Sequence, residues 1–75
     1  IRMDRTDALN YHNRGASFFY LGQYHDAIKD FTEAIRLEPN AARYQWRGNA
    51  YDKVRQYNLA RPDWDMACQL DRQWC

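Results

Sequence analysis

The amino-acid sequence predicts an all-α fold made of two tandem antiparallel helix-turn-helix hairpins. Three observations support this prediction. The sequence repeats itself at a shift of 33 residues, apolar residues recur at helical spacing within each repeat, and turn-forming residues separate the segments. Only three glycines and two prolines interrupt the 75 residues, which also favours helices.

The internal repeat places residues of the same kind on one another along most of the chain. Arg14 coincides with Arg47 and Gly15 with Gly48. The further matches are Tyr11 with Tyr44, Asn13 with Trp46, Phe18 with Tyr51, Tyr24 with Tyr57, Ala27 with Ala60, Asp30 with Asp63, Phe31 with Trp64, Ala34 with Ala67 and Leu37 with Leu70. Small residues that alternate with aromatic ones allow two helices to approach closely while the rings fill the remaining space.

Turn and capping residues divide each repeat into two helices. Gly22 suits a left-handed helix cap, and Asn40 is placed to cap the third helix. In the second repeat Arg55 occupies the position that Gly22 has in the first. A positive φ at Arg55 would therefore cost roughly 1 kcal/mol relative to glycine. Asn58 is expected to cap the fourth helix, with Pro62 distorting its first turn locally. Four helices are predicted, near residues 6–21, 24–37, 41–54 and 58–72.

The spacing of small and aromatic residues in the first repeat resembles that of the tetratricopeptide repeat family. The matching positions are Tyr11, Gly15, Phe18, Gly22, Tyr24, Ala27, Phe31, Ala34 and Pro39. The stretch Tyr-His-Asn-Arg-Gly looks like a common bacterial-type variant, whereas Arg72 replaces the closing proline in the second repeat. The resemblance implies one domain over residues 1–75, with repeats at about 8–40 and 41–73. It also leads us to expect an α-α superhelix segment from a longer array.

The resemblance implies a protein-interaction scaffold that binds a peptide or protein segment in a concave groove, without catalysis. In this family the first helix of each hairpin lines the groove. By position, the lining residues would be His12, Asn13, Ala16, Phe19, Tyr20, Gln45, Trp46, Asn49, Asp52 and Lys53. A lysine and asparagine carboxylate clamp, which one subclass uses, is not expected. His12 and Ala16 take its places in the first repeat, and Gln45 and Asn49 take them in the second.

Two alternatives remain for the aromatic residues of this predicted groove. Phe19, Tyr20 and Trp46 could pack on a neighbouring repeat or on a second copy. In the second case the chain would be a structural oligomerisation module that self-associates, or exchanges helices, through uncovered terminal helices. The same rings could stack single-stranded nucleic acid, but the formal net charge of +1 argues against a nucleic-acid partner.

Two arginines recur in the repeats at positions where the family usually has an apolar residue. Arg14 is followed sixteen residues later by Asp30, and Arg47 by Asp63, in each case on the predicted partner helix. Because a partly buried guanidinium needs a carboxylate, we predict two structural ion pairs rather than a ligand site.

The remaining reactive side chains do not predict catalytic or metal chemistry. His12 and His25 are thirteen residues apart without a third ligand nearby, and no nucleophile stands at a motif-like spacing from a base. We therefore expect no enzyme activity, no metal and no cofactor. No apolar run approaches the roughly 18 residues of a membrane span.

The two cysteines lie seven residues apart on the predicted fourth helix. That spacing separates Cys68 and Cys75 by about 10 Å along a helix axis, which is too far for a disulfide between them. Cys68 aligns with Ile35 and is expected to be a small buried apolar residue. Cys75 is free to form an intermolecular disulfide on oxidation, so the cysteines identify no cellular compartment.

Overall fold

Four α-helices and one short 3-10 helix form the computed structural model, which describes the backbone of residues 4–75 and the side chains of residues 6–75. The elements are α1 (Asp4–Tyr20), α2 (Tyr24–Leu37), α3 (Ala41–Lys53), α4 (Tyr57–Leu70) and a C-terminal 3-10 turn (Arg72–Trp74). Residues 1–3 of the predicted domain lie outside the described residues. The predicted all-α fold of two tandem hairpins is confirmed.

The helices pack in chain order. α1 packs along α2, α3 packs along α4, and α2 packs on α3 to join the two hairpins. By comparison, α1 and α3 touch each other through few residues. α2 therefore packs against both α1 and α3, whereas α1 and α4 are the outer helices of the described residues.

Small residues bring the paired helices close together around large aromatic ones. A Cβ atom added at Gly15 would lie 3.0 Å from Phe31, and one added at Gly48 would lie 2.7 Å from Trp64. Phe31 is fully buried. The fully buried alanines are Ala8, Ala27, Ala34, Ala50, Ala60 and Ala67. The core therefore consists of close backbone contacts filled by a few rings.

The turns inside the two hairpins share one hydrogen-bonding pattern. Gln23 N donates to Phe18 O at 2.8 Å in the first, and Gln56 N donates to Tyr51 O at 2.9 Å in the second. Such a turn needs a left-handed residue just before these donors. Gly22 supplies it with φ +81°, and Arg55 adopts φ +64° although it is not glycine.

Helix α4 begins and ends earlier than the sequence predicts. Its N-cap is Gln56, without a side-chain hydrogen bond, so the prediction that Asn58 caps this helix is wrong. The turn around Arg55 fixes the helix start at Tyr57, as the equivalent turn starts α2 at Tyr24. Pro62 lies inside α4 and cannot donate to the carbonyl four residues earlier, yet the helix continues to Leu70.

The other helix boundaries follow the predictions closely. Asn40 caps α3 as predicted, since its side-chain Oδ1 accepts from Arg43 N at 2.9 Å. Helices α1 and α3 end at Tyr20 and Lys53, one residue before their predicted ends.

Cys68 and Cys75 form a disulfide, with their Cα atoms 4.6 Å apart. The prediction that these residues are too far apart was wrong because it assumed one continuous helix. The helix ends at Leu70, and Asp71 is extended with φ −153° and ψ 116°, so the C-terminal turn folds back. Cys68 is consequently half-buried and bonded rather than a free buried thiol, and Cys75 pairs within the chain.

Candidate functional site

Trp46 on α3 occupies the centre of a cluster of rings that joins the second hairpin to the first. Its ring centroid lies 5.3 Å from that of Phe19, 5.7 Å from Tyr20 and 5.8 Å from Phe31. The contacts with the two α1 residues are edge-to-face, which is a favourable arrangement for aromatic pairs. We call Phe19, Tyr20 and Trp46 the aromatic cluster.

The aromatic cluster is partly buried on one side and open on the other. Phe19 and Trp46 are half-buried. Tyr20 is 77% exposed and the adjacent Leu21 is 70% exposed. Packing between neighbouring repeats thus accounts for Trp46, but it leaves an apolar surface at the end of α1.

The amide residues of the predicted groove lie along α3. Asn49 Oδ1 accepts from Gln45 Nε2 at 3.2 Å and from Trp64 Nε1 at 3.0 Å, so it satisfies the half-buried indole of α4 as well as its neighbour on α3. Asn13 on α1 and Lys53 on α3 are exposed. Ala16 and Asp52 are half-buried. The structure thus brings four of the predicted groove residues together, namely His12, Phe19, Tyr20 and Trp46. It also pairs Gln45 with Asn49. Within residues 6–75, Asn13 and Lys53 contact neither group.

His12 lies at the inner edge of the aromatic cluster. Its ring centroid lies 5.7 Å from that of Phe31 and 6.5 Å from that of Trp46. Its Nδ1 is buried and has no hydrogen-bond partner within the described part of the chain. Burial lowers the pKa of His12, and the positive charge of Arg43 lowers that pKa further.

Arg43 is a buried charged residue that sequence analysis missed. Only 5% of its side chain is exposed, and its Nη1 donates to the backbone carbonyl of Glu38 at 2.6 Å and to Glu38 Oε1 at 3.3 Å. It therefore ties the first turn of α3 to the end of α2. Its counterpart in the first repeat is the exposed Asn10, so the repeat gives no indication that this position is buried. The sequence feature that could have predicted this contact is Glu38, an acidic residue five positions before Arg43.

The structure brings each recurring arginine to its predicted aspartate in the same two-point geometry. Arg14 Nε and Nη2 lie 2.7 and 2.8 Å from Asp30 Oδ2 and Oδ1. Arg47 Nε and Nη2 both lie 2.8 Å from the same atoms of Asp63. Both aspartates are buried. In each case the hydrogen bond to the carboxylate raises the pKa of the arginine.

Two aromatic rings flank each guanidinium. Arg14 lies 5.7 Å from the Tyr11 ring centroid and 5.9 Å from that of Phe18. Arg47 lies 5.7 and 5.8 Å from the ring centroids of Tyr44 and Tyr51. Bidentate pairing combined with contact to ring faces is a role that suits arginine better than lysine.

Neither a metal site nor a membrane span is indicated by the described residues. Within that part of the chain, no three His, Cys, Asp or Glu side chains are grouped so that they could hold an ion. None of the helices found there is long and apolar enough to cross a bilayer.

Tandem helical hairpins with repeated ion pairs define this molecule as an all-α helical repeat protein. Comparison with known families agrees, because the model of the tetratricopeptide repeat matches residues 8–41. That repeat, followed by a second hairpin of the same architecture, shows that the chain belongs to the tetratricopeptide repeat family. Repeats of this family mediate protein–protein interaction.

Several curated proteins are similar in sequence to this chain over most of its length. Human tetratricopeptide repeat protein 13 is 35% identical over 69% of the chain. The RNA polymerase II-associated protein 3 of Rattus norvegicus is 28% identical over 99%, and mitochondrial import receptor subunit TOM34 of the same species is 33% identical over 87%. The matched stretches span 6%, 11% and 21% of these relatives.

Proposed function

We propose that the chain is a non-catalytic scaffold that binds a segment of another protein along a concave groove lined by α1 and α3. The aromatic cluster is the observation that carries this proposal. Trp46 is held against both helices of the first hairpin, while Tyr20 remains 77% exposed. A rigid aromatic surface loses little conformational entropy on binding, and rings of this kind dominate the energetics of protein interfaces.

The polar residues beside the cluster suit a peptide backbone. Asn49 Oδ1 is occupied by Trp64 and Gln45, so the N–H groups of its amide are what it offers a ligand. Carbonyl groups of an extended or helical segment could accept from these donors, while an apolar side chain of the ligand covers Tyr20 and Leu21. Exposed Asn13 and Lys53 extend the polar rim.

The reactive side chains are occupied by structural contacts, which supports a role without catalysis. Asp30 and Asp63 are buried and hold arginines, and Cys68 and Cys75 are bonded to each other. Burial, and after it the positive charge of Arg43, lowers the pKa of His12 and so disfavours its charged form. No cofactor is part of the proposal.

The test removes exposed groove residues and leaves Trp46 in place, because Trp46 also joins the hairpins. We would capture proteins from a lysate of the source cells with the wild type and with the Asn13→Ala/Tyr20→Ala variant. The segment of the captured protein responsible would then be titrated by calorimetry. We expect the variant to bind at least about tenfold more weakly, equivalent to about 1.4 kcal/mol.

Tyr57→Ala is the matched control, because Tyr57 is also an exposed tyrosine but begins α4. It should bind like the wild type. Equal binding by wild type and groove variant, with unchanged circular dichroism, would refute the proposed groove.

A further inference from the structure

His12 lies where α1, α2 and α3 meet, at the joint between the two hairpins. Its ring is edge-to-face with Phe31 on α2, at 5.7 Å between centroids, and with Trp46 on α3, at 6.5 Å. The side chain as a whole is half-buried, yet its Nδ1 is buried and has no hydrogen-bond partner within the described part of the chain. His12 is therefore a titratable group enclosed between two uncharged rings.

The charges around His12 favour its neutral form. On α3, the charged group that faces it is the guanidinium of Arg43, whose side chain is only 5% exposed. On α2, the facing ring of Phe31 is uncharged, and the residues four positions away on α1 itself are alanines. Arg43 donates to Glu38, the residue that caps the C-terminal end of α2. A proton on His12 would thus place a second positive charge near Arg43.

Hydrogen bonding also disfavours the charged form. A neutral imidazole keeps one nitrogen as an acceptor, whereas a protonated imidazole carries a hydrogen on both nitrogens. Among residues 6–75, the other buried side-chain nitrogen without a partner is Arg43 Nε, which is itself a donor. In its present position, protonated His12 would therefore leave a buried donor unsatisfied. Rotation of the ring toward water would remove this cost.

Such a rotation would act on a joint that few residues hold together. α1 and α3 touch each other through few residues, and Trp46 meets α1 through His12 and the aromatic cluster. We propose that His12 is a proton-sensitive switch of the aromatic cluster. Neutral His12 packs against Trp46 and keeps the cluster closed, whereas protonated His12 turns outward and releases Trp46 from α1. The hairpins remain folded, because each is held by its own pair of helices.

Acidification should open the cluster. The pKa of His12 in the closed cluster is lowered from the ordinary 6.5, first by burial and then by Arg43, whereas a ring turned into water keeps a pKa near that value. Protons therefore bind the open arrangement more tightly and shift the equilibrium toward it as pH falls below about 6.5. The shift is complete below the pKa of the closed cluster.

Ligand binding in the groove should depend on the same proton, a consequence that rests on the proposed function. The aromatic cluster carries that function, and a ligand that covers the cluster also shields the half-buried His12 from water. Such a ligand binds the neutral, closed form more tightly than the protonated one. Its affinity should therefore fall as pH drops below about 6.5.

Nuclear magnetic resonance of the isotope-labelled free chain, between about pH 8 and about pH 5, tests the switch without a ligand. We expect the His12 ring signals to titrate below 6.5. Over the same range, the nuclear Overhauser contacts between Trp46 and Phe19 should be lost while the helical circular dichroism is retained.

Two variants assign the effect to one histidine. His12→Gln carries the residue that the second repeat has at the equivalent position, Gln45, and should keep the contacts of Trp46 throughout the titration. His25→Gln is the matched control, because His25 is the other histidine of the chain and is exposed on α2. It should lose these contacts as the wild type does.

Calorimetry extends the test to binding. The probe is a synthetic peptide of the segment captured through the groove, with any histidine in it replaced by glutamine. We expect its affinity for the wild type and for His25→Gln to be at least about fivefold weaker at about pH 5.5 than at about pH 7.5. The affinity for His12→Gln should be the same at both pH values.

Three results would overturn the switch. The first is that the contacts of Trp46 persist or strengthen once His12 has titrated. The second is that the helical signal is lost together with these contacts, because His12 would then act only on the stability of the whole fold. The third is an equal pH dependence of binding in His12→Gln and the wild type.

Failure of the groove is a separate result. It appears at about pH 7.5, where His12 is neutral, as equal binding by the wild type and the Asn13→Ala/Tyr20→Ala variant. In that case the signals of the free chain still decide whether His12 controls the position of Trp46.

Discussion

The two hairpins share an ion pair but differ in what surrounds it. Arg14 with Asp30 and Arg47 with Asp63 have nearly identical geometry, and both arginines lie between rings. The side-chain exposure of the arginine is 62% in the first hairpin and 19% in the second, where α2 covers it. The comparison shows that the repeat fixes the geometry of the local pair, whereas the neighbouring helix determines its exposure to water. We therefore expect the fold to depend more strongly on the covered pair.

The largest expected difference comes from removing the two aspartates. Asp63→Ala leaves a largely buried guanidinium unpaired and should lower the free energy of unfolding by about 3 kcal/mol. A domain of this size has only about 3 to 5 kcal/mol in total, so this variant should retain only about 0 to 2 kcal/mol. Asp30→Ala should cost less, because Arg14 is open to water.

Urea unfolding followed by circular dichroism measures both losses. Lys29→Ala changes an exposed residue on α2 and should alter the free energy of unfolding by less than about 0.5 kcal/mol. Equal losses for the two aspartate variants would show that coverage by α2 does not matter.

The two helix-contact glycines provide the next comparison. Gly48→Ala would place a Cβ 2.7 Å from Trp64 and 3.2 Å from the Ala60 carbonyl, whereas the nearest atom to a Cβ at Gly15 is 3.0 Å away. Overpacking should cost about 1 to 3 kcal/mol, offset by about 1 kcal/mol of helix propensity. Gly48→Ala should therefore be the more destabilising change.

The hydrogen bond from Trp64 to Asn49 explains part of this difference, because it restrains the indole. In an Asn49→Ala background, Gly48→Ala should cost less than it does in the wild type, and a double-mutant cycle measures that coupling. Additive losses would mean that the indole moves aside freely.

The two turns inside the hairpins should respond in opposite directions. Arg55→Gly relieves a left-handed non-glycine residue and should stabilise the fold by about 1 kcal/mol. Gly22→Ala should destabilise it by a similar amount. A Cβ there meets no atom within 4 Å, so backbone strain is the whole cost. Thermal unfolding compares the two variants, and a destabilised Arg55→Gly would indicate that the arginine side chain makes a needed contact.

The smallest expected effect is a pH dependence of the free energy of unfolding, caused by His12. The second repeat has the non-ionisable Gln45 at the equivalent position. Its folded-state pKa is lowered from the ordinary 6.5, so the unfolded chain binds the proton more readily. Stability should therefore fall as pH decreases below about 6.5 and level off below the folded-state pKa. His12→Phe should reduce this slope in unfolding measurements at several pH values, and an unchanged slope would assign it to other groups.

Most of the fold follows from the sequence because small residues, rings and turn residues recur at one period. Gly22 and Asn40 act as predicted, and Arg55 adopts its unfavourable φ because the turn repeats. The start of α4 was misjudged because Asn58 is a good capping residue by type, whereas the hydrogen bonds of the preceding turn determine where the helix begins.

The disulfide and the surroundings of Trp46 could not be derived from local spacing. Cys68 and Cys75 meet only because the chain reverses after Leu70, and that reversal has no strong sequence signal. Trp46 stands at the position that Asn13 has in the first repeat, so periodicity could not predict its contacts. Its ring contacts three aromatic residues of the first hairpin and lies next to His12.

The most direct test of the proposed groove is nuclear magnetic resonance of the isotope-labelled chain, titrated with the segment of its captured partner. We expect the backbone amide signals that shift to belong to α1 and α3, with the largest changes near Asn13, Tyr20 and Asn49, and little change on the exposed surface of α4. Shifts concentrated on α4 and around Tyr11, Arg14 and Phe18 of α1, with the groove signals unchanged, would contradict the proposed binding surface.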